Sequence, residues 1–261
     1  MFWVGLCLAG PADAMEWSET EVELLHSGRF REPFNPHRVT KTLVTLQHAS
    51  GYGLGRNFLF VDVLKSGNQE LDLSGQREAP TEVYGEAYST LSLSRLAGRN
   101  LATGPFRDVG LTAGVNLGVK DSQLRPRPKV YLAGITVDFA VPRGFFNVDL
   151  LGYWDHGCFG GINSCPDYRA SYQITPAWSL PFTLGPVEAE FSGFVDFIGA
   201  RGAGTVRQVL SQPQLRFDIG KVLLGEKGRL YAGIEYQYWR NKFGNRGVDE
   251  DHPQALVLWK F

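Results

Sequence analysis

The chain has 261 residues, with 26 Lys and Arg against 27 Asp and Glu, giving a formal net charge of −1. That length suits one large all-β domain, and the balanced charge lacks the basic excess of a nucleic-acid binder. No apolar run reaches the ~18 residues that a spanning helix needs, which excludes a helical membrane protein. A barrel stays open, because its lipid-facing and lumen-facing residues alternate and cancel in hydropathy.

The N-terminus, MFWVGLCLAGPADA, has an apolar run over residues 2–10 and an A-x-A cleavage site at Ala12-Asp13-Ala14. Residues 1–14 are therefore expected to be a signal peptide, truncated at its start because no basic n-region precedes the run. Cys7 falls in this leader, and bulky Leu6 before it disfavours a lipoprotein box. Cys158 and Cys165 remain, an even pair that suits an oxidising compartment.

From there the dominant pattern is period-2 alternation, the signature of strands. Strands are expected near residues 19–26, 39–48, 58–65, 82–94, 107–117 and 130–139. Clearer alternation follows. Over 145–155, Phe146, Val148, Leu150, Gly152 and Trp154 oppose Asn147, Asp149, Leu151, Tyr153 and Asp155. Further runs cover 168–178, 187–197, 209–219 and 230–238, and a last strand covers 254–261. The total is about twelve, an even number, as a single-chain bacterial barrel requires. The connections alternate too. Those at 27–38, 66–81, 118–129, 156–167, 199–205 and 240–253 are mostly long and polar. Those at 140–144 and 220–228 are short and rich in turn formers, while 94–105 is longer than this scheme favours.

A secreted sandwich would alternate as well. The last strand separates the two, since it ends in Phe261 with Trp259, Val257 and Ala255 on one face, like the insertion signal of outer-membrane barrels. Trp154, Tyr168, Trp178, Tyr238 and Trp259 fall near strand ends, where an interfacial aromatic belt sits. The expectation is an all-β, transmembrane antiparallel β-barrel of about 12 strands over residues 15–261, in the bacterial outer membrane. Its expected partners are outer-membrane lipid and the barrel-assembly machinery, which would bind the strand ending in Phe261; a monomer is expected.

With the apolar face turned to lipid, the other face lines the lumen. The acidic residues then pointing inward are Glu21, Glu23, Asp62, Glu82, Glu86, Asp149, Glu188, Glu190, Asp196, Asp218 and Glu235, against the basic residues Lys41, Arg169, Arg216 and Lys260. An acidic excess disfavours anions and leaves neutral or cationic solutes. Phe58, Phe60, Tyr84, Tyr88, Tyr153, Phe194, Tyr231 and Trp239 also point inward, and flat bases stack on such rings. The candidate solute-contacting set is Phe58, Phe60, Asp62, Tyr84, Glu86, Tyr88, Phe194, Asp196 and Arg216. The competing reading is that these charges pair and plug the barrel, leaving a structural or receptor protein.

Cys158 and Cys165 sit in DHGCFGGINSCPD on the long-loop side, and a disulfide is expected over a metal site with His156. His48 and Ser50 offer a hydrolase reading, as in lipid-modifying outer-membrane enzymes, but no acid partner is indicated by spacing. The glycine-rich turn over residues 51–55 is not a phosphate loop, since no Lys-Ser/Thr follows it. No catalytic residue, cofactor or metal is expected.

The segments HASGYGLGRNFLFVDVL from His48, EVYGEAYSTLSLSRL from Glu82 and DLLGYWDHG from Asp149, with the closing strand, resemble the nucleoside-specific channel-forming outer-membrane proteins, the Tsx/OmpK-like family, across the mature chain. The likeness is closer to the OmpK-like branch. It implies a monomeric twelve-stranded barrel with a narrow lumen that passes nucleosides, with loops that in some members serve as phage receptors. No contact residue of the family carries over position by position.

Overall fold

A computed structural model describes residues 15–261; the leader assigned to residues 1–14 lies outside the described residues. Alternation is realised as a closed antiparallel meander. Its strands are β1 (Trp17–Phe30), β2 (Val39–Tyr52), β3 (Gly55–Ser66), β4 (Thr81–Ser92), β5 (Phe106–Lys120) and β6 (Lys129–Phe139). They continue as β7 (Phe145–Asp155), β8 (Ser171–Leu184), β9 (Val187–Ile198), β10 in two segments (Gln208–Ser211 and Gln214–Asp218), β11 (Leu230–Arg240) and β12 (Glu250–Lys260). Each strand pairs with its neighbours in sequence, and β1 pairs back on β12 from Glu21↔Lys260 to His26↔Ala255. The seam leaves no sheet edge. Among the described residues no helix is long and apolar enough to cross a membrane.

The faces are sorted inside out relative to a water-soluble protein. Leu24, Leu117 and Ile234 are 48%, 50% and 55% exposed on the outer wall, whereas Lys41, Glu250 and Gln254 are 1% exposed within it. A soluble domain would reverse this distribution; hydrocarbon as the outer solvent accounts for it. A closed, even-stranded barrel with an apolar outer wall and a polar interior is the transmembrane barrel of bacterial outer membranes. Two small apolar clusters interrupt the polar interior. One is Leu25, Phe30, Val39, Leu43 and Leu256, and the other is Val130, Leu132, Leu151 and Tyr153.

One rim carries short turns and both described chain ends. The β2–β3 and β8–β9 links have two residues each, and short helical turns at Leu93–Leu96 and Gly220–Leu223 fill the longer links after β4 and β10. The opposite rim carries the longer loops, the side that faces outward in such barrels. There the β3–β4 loop forms its own hairpin, Glu70–Leu71 against Arg77–Glu78. Cys158–Phe159 pairs with Pro126–Arg127 and so ties the β7–β8 loop to the β5–β6 loop.

Strand β8 departs from expectation. The alternation at residues 168–178 covers its first half, but the strand runs from Ser171 to Leu184, through Pro176 and Pro181. Tyr168 and Arg169 belong to the preceding loop, and Arg169 is exposed, not luminal. Strand β10 breaks where Pro213 lacks an amide donor. The ladder is bridged there by Gln212 N donating to Phe194 O (3.2 Å) and Tyr236 N donating to Pro213 O (2.9 Å). Gly193 faces the break at φ 142°, and a Cβ there would lie 2.5 Å from Gln212 O and 2.7 Å from Pro213 Cα. Gly193→Ala is therefore expected to lower the stability of the vesicle-inserted barrel by about 1–3 kcal/mol, the usual cost of a strained backbone position. Urea unfolding followed by tryptophan fluorescence checks this, and an unchanged midpoint would mean that the break closes without the glycine.

Candidate functional site

The candidate residues on β3 and β4 come together because strand register puts them in rows. Phe58, Phe60 and Asp62 stand opposite Tyr88, Glu86 and Tyr84. These in turn stand opposite Gly114, Asn116 and Gly118 of β5. The β5 face is thus nearly bare, and the tyrosine rings lie over it. A Cβ at Gly114 would meet Tyr88 Cδ1 at 2.4 Å, and one at Gly118 would meet Tyr84 Cδ2 at 3.0 Å. Both hydroxyls converge on Glu86, from Tyr84 at 2.5 Å and Tyr88 at 2.8 Å, and Asn116 Nδ2 donates to it at 2.9 Å. Ring centroids of Phe58 and Phe60 are 6.2 Å apart, and those of Phe60 and Tyr84 are 6.1 Å apart. The patch is a tilted ladder of aromatic rings around one carboxylate.

Glu86 belongs to a set of interior carboxylates held by neutral donors. Asp62 accepts from Thr45 Oγ1 (2.5 Å), and Asp149 accepts from Thr136 Oγ1 (2.6 Å). Asp196 accepts from Gln173 Nε2 (3.1 Å) and from the Thr175 hydroxyl. Glu235 accepts from Gln214 Nε2 and Gln254 Nε2, each at 2.7 Å. Among the described residues, none of these five forms an ion pair with Lys or Arg. Hydroxyls and amides satisfy lone pairs without cancelling charge, so this zone of the interior stays electronegative when ionised.

Cations gather towards the rims. On the turn side Arg216 reaches Glu23 (2.6 Å), Glu21 (3.2 Å) and Glu190 (3.5 Å), and Lys260 reaches Glu19 (2.6 Å). On the loop side Lys41, Lys120 and Lys242 surround Glu32, at 2.6, 2.9 and 3.1 Å. Burial alone would raise the Glu32 carboxyl, but the ammoniums of Lys242, Lys41 and Lys120 outweigh it and hold the group well below the usual carboxylate range. Its folded pKa being depressed, its contribution to docking is complete at neutral pH and is lost only as pH falls below that range. Burial likewise works against the Lys242 ammonium, yet Glu250 and Glu32 raise its pKa.

Of the nine expected lumen residues, eight make the contacts above, and the ninth, Phe194 of β9, lies opposite Ala177 of β8. Two acidic residues expected inward sit at the turn rim. Glu188 is exposed and pairs with Lys227 (2.8 Å), and Asp218 accepts from Gly220 N and Gly228 N. The alternation did not reveal Arg56, which clamps Asp138 through both Nη atoms (2.8 and 2.7 Å), nor Arg201, which reaches Asp155 (2.7 Å). Lys120 and Lys242 were missed as well, because they lie at a strand end and in a loop, where period-2 reading stops.

Cys158 and Cys165 are joined as a disulfide, which takes both sulfurs out of any metal site with His156. On the outer wall, His48 Nδ1 bonds Thr20 Oγ1 (2.8 Å), and no hydrogen bond joins His48 to Ser50. No nucleophile–base pair is assembled there.

No protein-family model matches the chain, and no curated protein matches it in sequence. Solved structures of similar architecture include the KdgM porin in complex with disordered oligogalacturonate (TM-score 0.46, 9% identity, covering 92% of this chain and 99% of that one). The β-domain of the Bordetella autotransporter Brka (0.43, 8%, 94% and 98%) and OccK11 (OpdR) of Pseudomonas aeruginosa (0.38, 10%, 94% and 95%) are also similar.

The close seat of Tyr88 on Gly114 makes a direct test of the patch. Gly114→Ala must push the ring off the wall and is expected to cost about 1–3 kcal/mol through overpacking. Urea titration of the inserted barrel reads the loss; a variant as stable as the parent would mean that Tyr88 does not rest there.

Proposed function

We propose that the protein is a monomeric outer-membrane channel for passive diffusion of small neutral solutes, with nucleosides as the cargo, and that it is not an enzyme. The observation that carries this reading is the ring ladder of Phe58, Phe60 and Tyr84 beside Glu86. Stacking serves any base, because every base presents a π-face, and it is worth ~1–3 kcal/mol per base. A carboxylate held by neutral donors keeps acceptor capacity for ribose hydroxyls and base amino groups. The electronegative zone repels phosphates, so nucleosides fit better than nucleotides. Binding stays weak enough for release, as flux demands. Insertion would proceed through the C-terminal strand ending in Phe261.

A second reading, a closed structural or receptor barrel, has support of its own. Towards the turn-side rim, ion pairs join strands three positions apart around the wall, Arg216 of β10 to Glu23 of β1 and Arg56 of β3 to Asp138 of β6.

Planar-bilayer recording separates the two. The channel reading expects a cation-preferring conductance that adenosine blocks and a neutral sugar of similar size does not. Phe60→Ala should raise the half-blocking adenosine concentration about 5- to 150-fold, which is ~1–3 kcal/mol of lost stacking. Equal block by the sugar would remove the nucleoside claim, and absence of any conductance would favour the closed barrel.

A further inference from the structure

The loop between β1 and β2 bends into the barrel mouth. Its tip is open to solvent, with Phe34 85% exposed, yet Glu32 is 8% exposed and lies under three ammoniums. Those ammoniums come from β2 (Lys41), β5 (Lys120) and the turn after β11 (Lys242), so one carboxylate joins three separate parts of the wall. The neighbouring loops close around it. Lys120 also holds Glu70 of the β3–β4 loop (2.6 Å), and Lys242 also holds Glu250 (2.8 Å). Arg31 N donates to Glu250 Oε1 (2.8 Å), Lys242 Nζ donates to Arg31 O (3.0 Å) and Asn35 Nδ2 donates to Gln69 O (3.0 Å).

We infer that residues 31–38 are a tethered plug, and that Lys41, Lys120 and Lys242 form a carboxylate-binding site whose occupant is the plug's own Glu32. The plug's effect on flux rests on the channel reading; its docking does not. Glu32 is the carboxylate that all three lysines share; without its charge Lys41 keeps only Glu70 (3.7 Å) and Glu82 (3.8 Å), Lys120 only Glu70 and Lys242 only Glu250, and exposed contacts of the loop contribute little beside this buried cluster. Glu32 is therefore the latch, and the exposed tip follows it. With the latch released, the loop leaves the mouth and the aromatic ladder opens to the outside.

Glu32→Gln keeps the side chain's size and deletes its charge. The test places a spin label on exposed His37, as His37→Cys in a Cys7→Ser background, with and without Glu32→Gln, in vesicles and in planar bilayers. In the Glu32→Gln protein the mobile fraction of the label and the channel's open fraction should each rise about tenfold, within the range of ordinary coupling energies. Lys242→Met should act in the same direction, and it carries the test if Glu32→Gln fails to fold. Equal label mobility in parent and variants would overturn the plug. A freed label with no conductance in any of the proteins would sink the channel reading and leave the plug standing.

Discussion

Every amide that crosses hydrocarbon must find its partner within the chain, because an unpaired group there costs several kcal/mol and no water is at hand. The β1–β12 seam meets that requirement. Without it, two strand edges would face lipid. With it, the wall is continuous, each strand has one face in lipid and one inside, and the side-chain alternation follows from the pleat. The inside-out burial, with Lys41 and Gln254 enclosed and Ile234 exposed, is the consequence.

Closure also creates the chemical problem of the interior. A closed wall of polar side chains must satisfy them with one another, with water or with a solute. The protein does so in two ways. Near the rims, Arg216 and the three lysines around Glu32 pair charges directly. Between them Glu86, Asp196 and Glu235 are held by tyrosine, threonine and amide donors, with no Lys or Arg paired to them among the described residues. Ion pairs near the rims tie loops to the wall, while the zone between them holds its carboxylates without cations.

Much of this was legible in the sequence, because lipid and lumen impose opposite demands on successive residues. The patch on β3 and β4 could be read for that reason: Phe58, Phe60 and Asp62 share a parity that Val61 and Val63 oppose. The signal failed where alternation stops. Residues 168–178 gave the first half of β8 but not its ends; Pro176 fell within the expected run, whereas Pro181 lies beyond it and is accommodated inside the strand. Lys120, Lys242 and Glu32 sit at a strand end and in loops, and only the folding of loops into the mouth brings them together. Gly114 and Gly118 read as weak strand residues; their use as seats for Tyr88 and Tyr84 depends on register, which a single strand does not reveal.

The sorting of the wall is the claim on which lumen, patch and plug all depend. Nitroxide labels placed singly at Phe60, Val61, Asp62 and Val63 of β3, in lipid vesicles, report collisions with dissolved oxygen, which favours hydrocarbon, and with a water-soluble nickel chelate. Labels at Val61 and Val63 should be oxygen-rich and closed to nickel, and labels at Phe60 and Asp62 the reverse. Four positions with the same oxygen-to-nickel ratio would contradict the account.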